Sequence, residues 1–166
     1  MKEEVLFTEK QKFRQTWLWI TFFIINTFFI SGFIIQVIGN GKFGNNPMQN
    51  SELVTLTIGL IILTLLFWFI KLETKITKEG IYVRFFPFHL KFKHYKYIDI
   101  EKLFLRQYSA IFEYGGWGLR LRIFGNEKAF TISGNKGLQL YLKTGKKVLI
   151  GTRKPKEMES VLENKT

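Results

Sequence analysis

From Trp17 to Ile38 the chain runs 22 residues without Asp, Glu, Lys or Arg, and from Leu53 to Ile70 it does so again for 18. A hydrocarbon core about 30 Å thick takes about 20 helical residues to cross, so each run is long enough to span it. Helix is the form such runs must take, because an open strand would leave backbone groups unpaired in lipid. The second run reaches Leu72 if Lys71 extends its ammonium towards headgroups. The pattern predicts transmembrane helices over 17–38 and 53–72, joined by a loop over 39–52 and preceded by a segment over 1–16. A pair of buried core helices would not be so uniformly apolar in so short a chain. A cleaved signal peptide would have an apolar region of about 7 to 15 residues and a small-residue cleavage site, unlike Gln36-Val37-Ile38-Gly39-Asn40.

After Leu72 the period changes to alternation broken by turn residues. Strands are expected at Leu72 to Thr77, Ile81 to Phe86, Leu90 to Tyr97, Ile100 to Tyr108, Leu119 to Phe124, Ala129 to Ser133, Leu138 to Lys143 and Lys147 to Gly151. Lys78-Glu79-Gly80, Gly125-Asn126-Glu127, Gly134-Asn135-Lys136-Gly137 and Thr144-Gly145-Lys146 read as turns. Pro155 then opens a helix carrying Met158, Val161 and Leu162 at helical spacing. About seven short strands closed by one terminal helix point to a barrel or sandwich over 73–166.

Charge gives these segments an orientation. The net charge is +12, and residues 71–166 hold 20 basic and 9 acidic side chains. The segment before the first run carries Lys2, Lys10, Lys12 and Arg14, whereas the 39–52 loop carries only Lys42. The positive-inside rule therefore places both flanks in the cytoplasm of a plasma membrane and the loop outside. Trp17, Trp19 and Trp68 then fall at one membrane interface, as an aromatic belt requires. The chain has no cysteine, which excludes disulfide scaffolds and Cys-ligated metals, and 28 aromatics, which exclude general disorder.

Several ordered features carry a family resemblance: Ile76-Thr77-Lys78-Glu79-Gly80-Ile81, the Ile98-Asp99-Ile100 step, and Lys147-Val148-Leu149-Ile150-Gly151-Thr152 ahead of a Pro-started helix. The chain resembles bacterial membrane proteins in which two transmembrane helices precede a pleckstrin-homology-like domain. Through Glu113-Tyr114-Gly115-Gly116-Trp117-Gly118-Leu119-Arg120 and Ser133-Gly134-Asn135-Lys136-Gly137 it is similar to a largely uncharacterised subgroup of them. The resemblance implies a membrane helical hairpin followed by a mainly-β, partly open barrel of about seven strands with a C-terminal helix. It implies a binding or docking module and no reaction.

The residues themselves suggest no enzyme. His89 and His94 lack the further ligands and outer-shell partners a metal needs, so no metal and no cofactor is expected. Gly115-Gly116-Trp117-Gly118 and Gly145-Lys146-Lys147 lack the spacing of nucleotide loops and read as turns. Acidic residues are scattered singly, so no catalytic carboxylate pair is expected.

The basic residues are the candidates for contact with an anionic ligand or headgroup. Lys91 and Lys93, and likewise Arg120 and Arg122, stand two apart, which puts each pair on one face of a strand. Lys146, Lys147 and Arg153 add charge near turns. Positive-inside bias alone would also account for this charge. Trp117 is either an anchor into a membrane or partner interface, or an aromatic folded back over the barrel end. The expected function is non-enzymatic: membrane-anchored binding or scaffolding through contacts with anionic lipid headgroups or a protein partner. An accessory subunit of a membrane transport or envelope-stress complex is the alternative. Nucleic acid is disfavoured by the tether and by the missing RNA-binding signature. Asn26, Thr27, Ser31, Gly32, Gln36, Thr55, Thr57, Gly59 and Thr64 in the apolar runs suggest close helix packing, with a homo-oligomer satisfying more of the polar groups.

Overall fold

The structure is a computed structural model and describes residues 4–121 and 126–163. The chain divides into two compact units, one formed by Arg14–Phe69 and the other by the segments on either side of it.

The first unit is a helical hairpin. Helix α1 spans Thr16–Phe33 and continues through a π-helical turn, Ile34–Ile38; helix α2 spans Asn50–Phe69. Both are long and apolar enough to cross a membrane. Gly32 is the buried residue of α1, Leu53 and Thr57 those of α2, so neither is the enclosed helix of a soluble core. Several polar side chains find partners within the hairpin, while Gln36 Oε1 is buried without one. Asn26 donates to Thr64 Oγ1 at 2.8 Å, and Gln36 donates to Asn50 Oδ1 at 2.8 Å and to the Met48 carbonyl at 2.7 Å. Ser31 and Thr55 donate back to the carbonyls of Thr27 and Ser51. Trp19 meets Trp68 edge-on at 5.5 Å, and Trp17 lies exposed near them at the start of α1.

Helix α2 ends at Phe69, three residues short of the expected boundary, because Leu72 is fully buried in a sheet and Lys71 pairs with Glu73. The second unit contains strands β1 (Val5–Lys12), β2 (Lys71–Thr77), β3 (Gly80–Phe86), β4 (Lys93–Lys96), β5 (Ile100–Gln107), β6 (Gly118–Leu121), β7 (Glu127–Thr131), β8 (Lys136–Leu142) and β9 (Lys147–Thr152). Its helices are α3 (Ala110–Tyr114) and α4 (Pro155–Glu163). A four-stranded antiparallel sheet has the order β1-β2-β3-β4, and a five-stranded sheet the order β5-β8-β9-β7-β6, with β7 parallel to β9. No closed barrel forms among the described residues.

Two features depart from the alternation read in sequence. Val5–Lys12, expected to be a separate leading segment, is edge strand β1 of this unit, with Phe7, Glu9 and Gln11 turned inward. Strand β4 is four residues long where eight were expected. Phe92, just before it, lies beneath Lys75 at 4.8 Å and Arg84 at 4.5 Å, in cation–π contact.

The core lies on the inward faces of both sheets. Leu72, Ile76, Ile81, Val83 and Phe85 line the first sheet; Phe130, Leu138, Leu140 and Ile150 belong to the second, and Met158 of α4 is buried with them. Val148 to Thr152 are all buried, the signature of a central strand covered on both sides. The second side of that sheet, at Ala129 and Leu149, is covered by Tyr108, Ala110, Tyr114 and Trp117 around α3. On the outer side of the first sheet, Glu73 is gripped by Arg84 and by Lys71 at 3.5 Å, with Lys10 at 4.0 Å.

Candidate functional site: a lysine-lined cleft

Strand β4 is held against β3 by a close approach at Gly80. A side chain there would meet the Tyr95 carbonyl and His94 Nε2, so glycine is what lets the two strands pair so tightly. His94 stacks on Tyr82, with ring centroids 4.0 Å apart and planes 10° from parallel. The paired strand then presents Lys93, His94 and Tyr95 to a cleft of about 470 Å³. Across from them stand Lys128 of β7 and the β8–β9 hairpin with Lys143, Thr144, Lys146 and Lys147; Asp99, after β4, completes the rim. The volume suits a small ligand or a headgroup.

The hairpin is fixed by Gly145, whose φ of 77° is left-handed and therefore favours glycine. Leu142 N–H donates to the Lys146 carbonyl at 2.9 Å, closing the turn so that Lys143 and Lys146 project from a defined loop. The Asp99 carbonyl accepts the Lys143 N–H at 2.9 Å, joining the hairpin to the chain that follows β4.

The cleft is electrostatically unbalanced. Five lysines and one aspartate line it. Lys147 is compensated by Glu127 at 3.3 Å and lies 5.3 Å from the Tyr141 ring. Lys93 and Lys128 have no carboxylate partner among the described residues. Burial and then the Lys128 charge push the Lys93 ammonium below its ordinary value. Burial, followed by Lys93 and Lys128, likewise pushes the His89 imidazole down. Lys93 Nζ stands 5.8 Å from the Phe130 ring, and His89 packs on the same ring at 5.7 Å. A cation half removed from water with a like charge beside it carries an electrostatic cost that a nearby negative charge would offset.

Of the residues singled out in sequence, Lys93, Lys146 and Lys147 line this cleft. Lys91 does not, because the chain around it turns before β4 begins and no strand face is shared with Lys93. Arg120 is exposed on edge strand β6, and Arg122 lies outside the described residues. Arg153 is exposed beyond β9, and its backbone N–H donates to Glu9 at 2.9 Å. Trp117 is half-buried over Ala129 and Leu149, the inward of the two expected placements. The large apolar side chains that α3 does expose are Ile111 and Phe112, the latter 92% accessible. Lys128 and Lys143 were not anticipated: each stands at the margin of an expected strand, and only the pairing of β7 with β9 and of β8 with β9 carries them to β4. Among the described residues there is no group of three or more His, Asp or Glu side chains placed to hold a metal ion.

A scan against protein-family models finds no match for this chain, and neither curated proteins nor solved structures provide one.

Proposed function

We propose that this chain is a two-span plasma-membrane protein whose flanking segments lie in the cytoplasm and build a non-enzymatic binding domain, related in plan to pleckstrin-homology-like modules, that takes anionic groups. The observation that carries this reading is the lysine-lined cleft, with Lys93 and Lys128 uncompensated within it. Two further features support it. Most residues of the apolar helices are exposed and few are buried against protein, as in lipid-facing helices. The +11 balance of residues 71–166 suits a cytoplasmic leaflet, where each nearby Lys or Arg contributes about 1 kcal/mol of attraction to anionic lipid. Tethering keeps the domain within reach of that surface, so weak individual contacts suffice.

The reading is tested with the full chain in nanodiscs of phosphatidylcholine, with or without phosphatidylglycerol. Hydrogen exchange at 93–96 and 142–148 is expected to slow when the anionic lipid is present and to recover at high salt. Unchanged or salt-indifferent exchange removes the reading.

Exposed Ile111 and Phe112 favour a second reading, in which the domain docks a protein as an accessory subunit of a larger membrane complex. Stable co-purification of one protein in mild detergent, abolished by Phe112→Ser, is the result that supports it.

A further inference from the structure

We infer that the cleft is built for a phosphate-type dianion, a phosphomonoester or pyrophosphate group, held between Lys93 and Lys128 so that it clasps the two sheets together. This deepens the proposed function and rests on its assignment of the cleft as an anion site.

The placement of the two ammonium groups sets the argument. Lys93 belongs to β4, the last strand of the four-stranded sheet, and Lys128 to β7 in the five-stranded sheet. No backbone ladder joins β4 to β7. Their side chains nevertheless line one cavity, with buried Val148 also contributing to its wall. Glu127, the neighbour of Lys128, pairs with Lys147, so it leaves the Lys93–Lys128 charge uncancelled. Asp99 is the acidic residue of the lining.

Two like charges in a partly desolvated cavity repel each other, and neither has an ion-pair partner among the described residues to supply the counter-charge that burial demands. A phosphodiester brings one negative charge and can neutralise one of them. A phosphomonoester or pyrophosphate brings at least one charge more, with terminal oxygens enough to accept charge-assisted hydrogen bonds from both. Lys143 and Lys146, exposed on the hairpin, add long-range attraction for such a group. The same chemistry is available from a free phosphorylated solute and from a monoester lipid headgroup.

The test uses the full chain in nanodiscs at fixed ionic strength, so that general screening is constant. In phosphatidylcholine discs, calorimetric titration with pyrophosphate is expected to show saturable binding and a rise in melting temperature. Lys93→Gln and Lys128→Gln are each expected to weaken that binding about tenfold, the loss of one charge-assisted hydrogen bond. Arg120→Gln leaves it unchanged. In the absence of ligand Lys128→Gln is expected to melt no lower than the native chain, because it relieves repulsion; a merely structural lysine would show a loss instead. A parallel arm compares discs containing phosphatidic acid with discs containing phosphatidylglycerol. Stronger protection of the cleft by phosphatidic acid assigns the dianion to a lipid headgroup, and pyrophosphate binding without that preference assigns it to a free solute. Equal protection by both lipids with no pyrophosphate binding overturns the dianion inference and leaves the anion-site reading standing. Absence of every anion effect overturns both.

Discussion

Thr152 donates its hydroxyl proton to the buried carboxylate of Glu9 at 2.6 Å, joining residues 143 positions apart in the chain. The second oxygen of Glu9 accepts the Arg153 N–H at 2.9 Å, and two residues along the strand Gln11 donates to the Gly151 carbonyl at 2.8 Å. The first strand is thereby locked to the end of the last one, with the whole helical hairpin lying between them in sequence. Hydrogen bonds to a charged group contribute about 1.5 to 3 kcal/mol each. Glu9→Ala is expected to cost about 2 to 4 kcal/mol, read as a fall in the denaturation midpoint of the full chain in detergent. A midpoint unchanged by this substitution would mean that β1 is not held by Glu9.

Acid should loosen the outer face of the four-stranded sheet. Burial alone would push the Glu73 carboxyl up, but Arg84, Lys71 and Lys10 outweigh it and hold the group below its ordinary value. A carboxylate with a depressed folded value stabilises the fold above its unfolded pKa, and that contribution disappears as pH falls through the folded one. Melting temperature is therefore expected to drop below about pH 4.5, the ordinary range for Glu. Glu73→Gln should melt lower than the native chain near neutrality and show a shallower acid decline. A steeper decline in the variant would contradict the assignment.

Gly80 sets the geometry of the cleft from the opposite side of the strand pair. An added Cβ would stand 2.7 Å from His94 Nε2 and closer still to the Tyr95 carbonyl, a backbone atom that cannot swing aside. Gly80→Ala is expected to cost about 1 to 3 kcal/mol, the range for overpacking, and to weaken anion binding because β4 carries Lys93. Full stability together with full anion affinity in this variant would show that β3 and β4 separate without consequence.

Two aromatic side chains near α3 should respond oppositely to truncation. Trp117 covers Ala129 and Leu149, so Trp117→Ala is expected to cost about 3 kcal/mol. Phe112 projects from a helix whose cap is set by Ser109 and whose Glu113 is held by Arg106 at 2.7 Å. Phe112→Ala should leave stability within about 0.5 kcal/mol of the native value. Denaturation curves of both variants decide the matter, and a large loss at Phe112 would place that ring against protein.

The proposed orientation is open to chemical labelling, since the chain has no cysteine of its own. Asn45→Cys, in the loop between α1 and α2, is expected to react with a membrane-impermeant maleimide in intact cells. Reaction only after permeabilisation would invert the orientation.

The apolar helices and most of the strands are legible in the sequence because their signals are local. An uncharged run shows its own length, and alternation such as Leu72, Thr74 and Ile76 shows which side of a strand faces inward. Gly80 and Gly145 mark turns for equally local reasons. Of the expected partly open barrel of about seven strands with a C-terminal helix, the structure carries the β-rich sheets and the helix, while the pairing gives two sheets and no closed barrel among the described residues. Strand order is a matter of contacts between segments far apart in sequence, and β1 joins β2 only after the chain has passed through the whole hairpin.

The site divides along the same line. Lys146 and Lys147 stand out in sequence as charge beside a turn, and Lys93 stands out by its spacing from Lys91. Sequence by itself therefore determines that residues 71–166 are strongly basic, and where the uncharged helices lie. Tertiary structure alone decides which lysines meet. The parallel pairing of β7 with β9 places Lys128 in register with Val148, beside the hairpin lysines and opposite Lys93. Net charge adds up along a chain regardless of folding, whereas an uncompensated pair of cations in one cavity exists only once the fold has brought distant strands together.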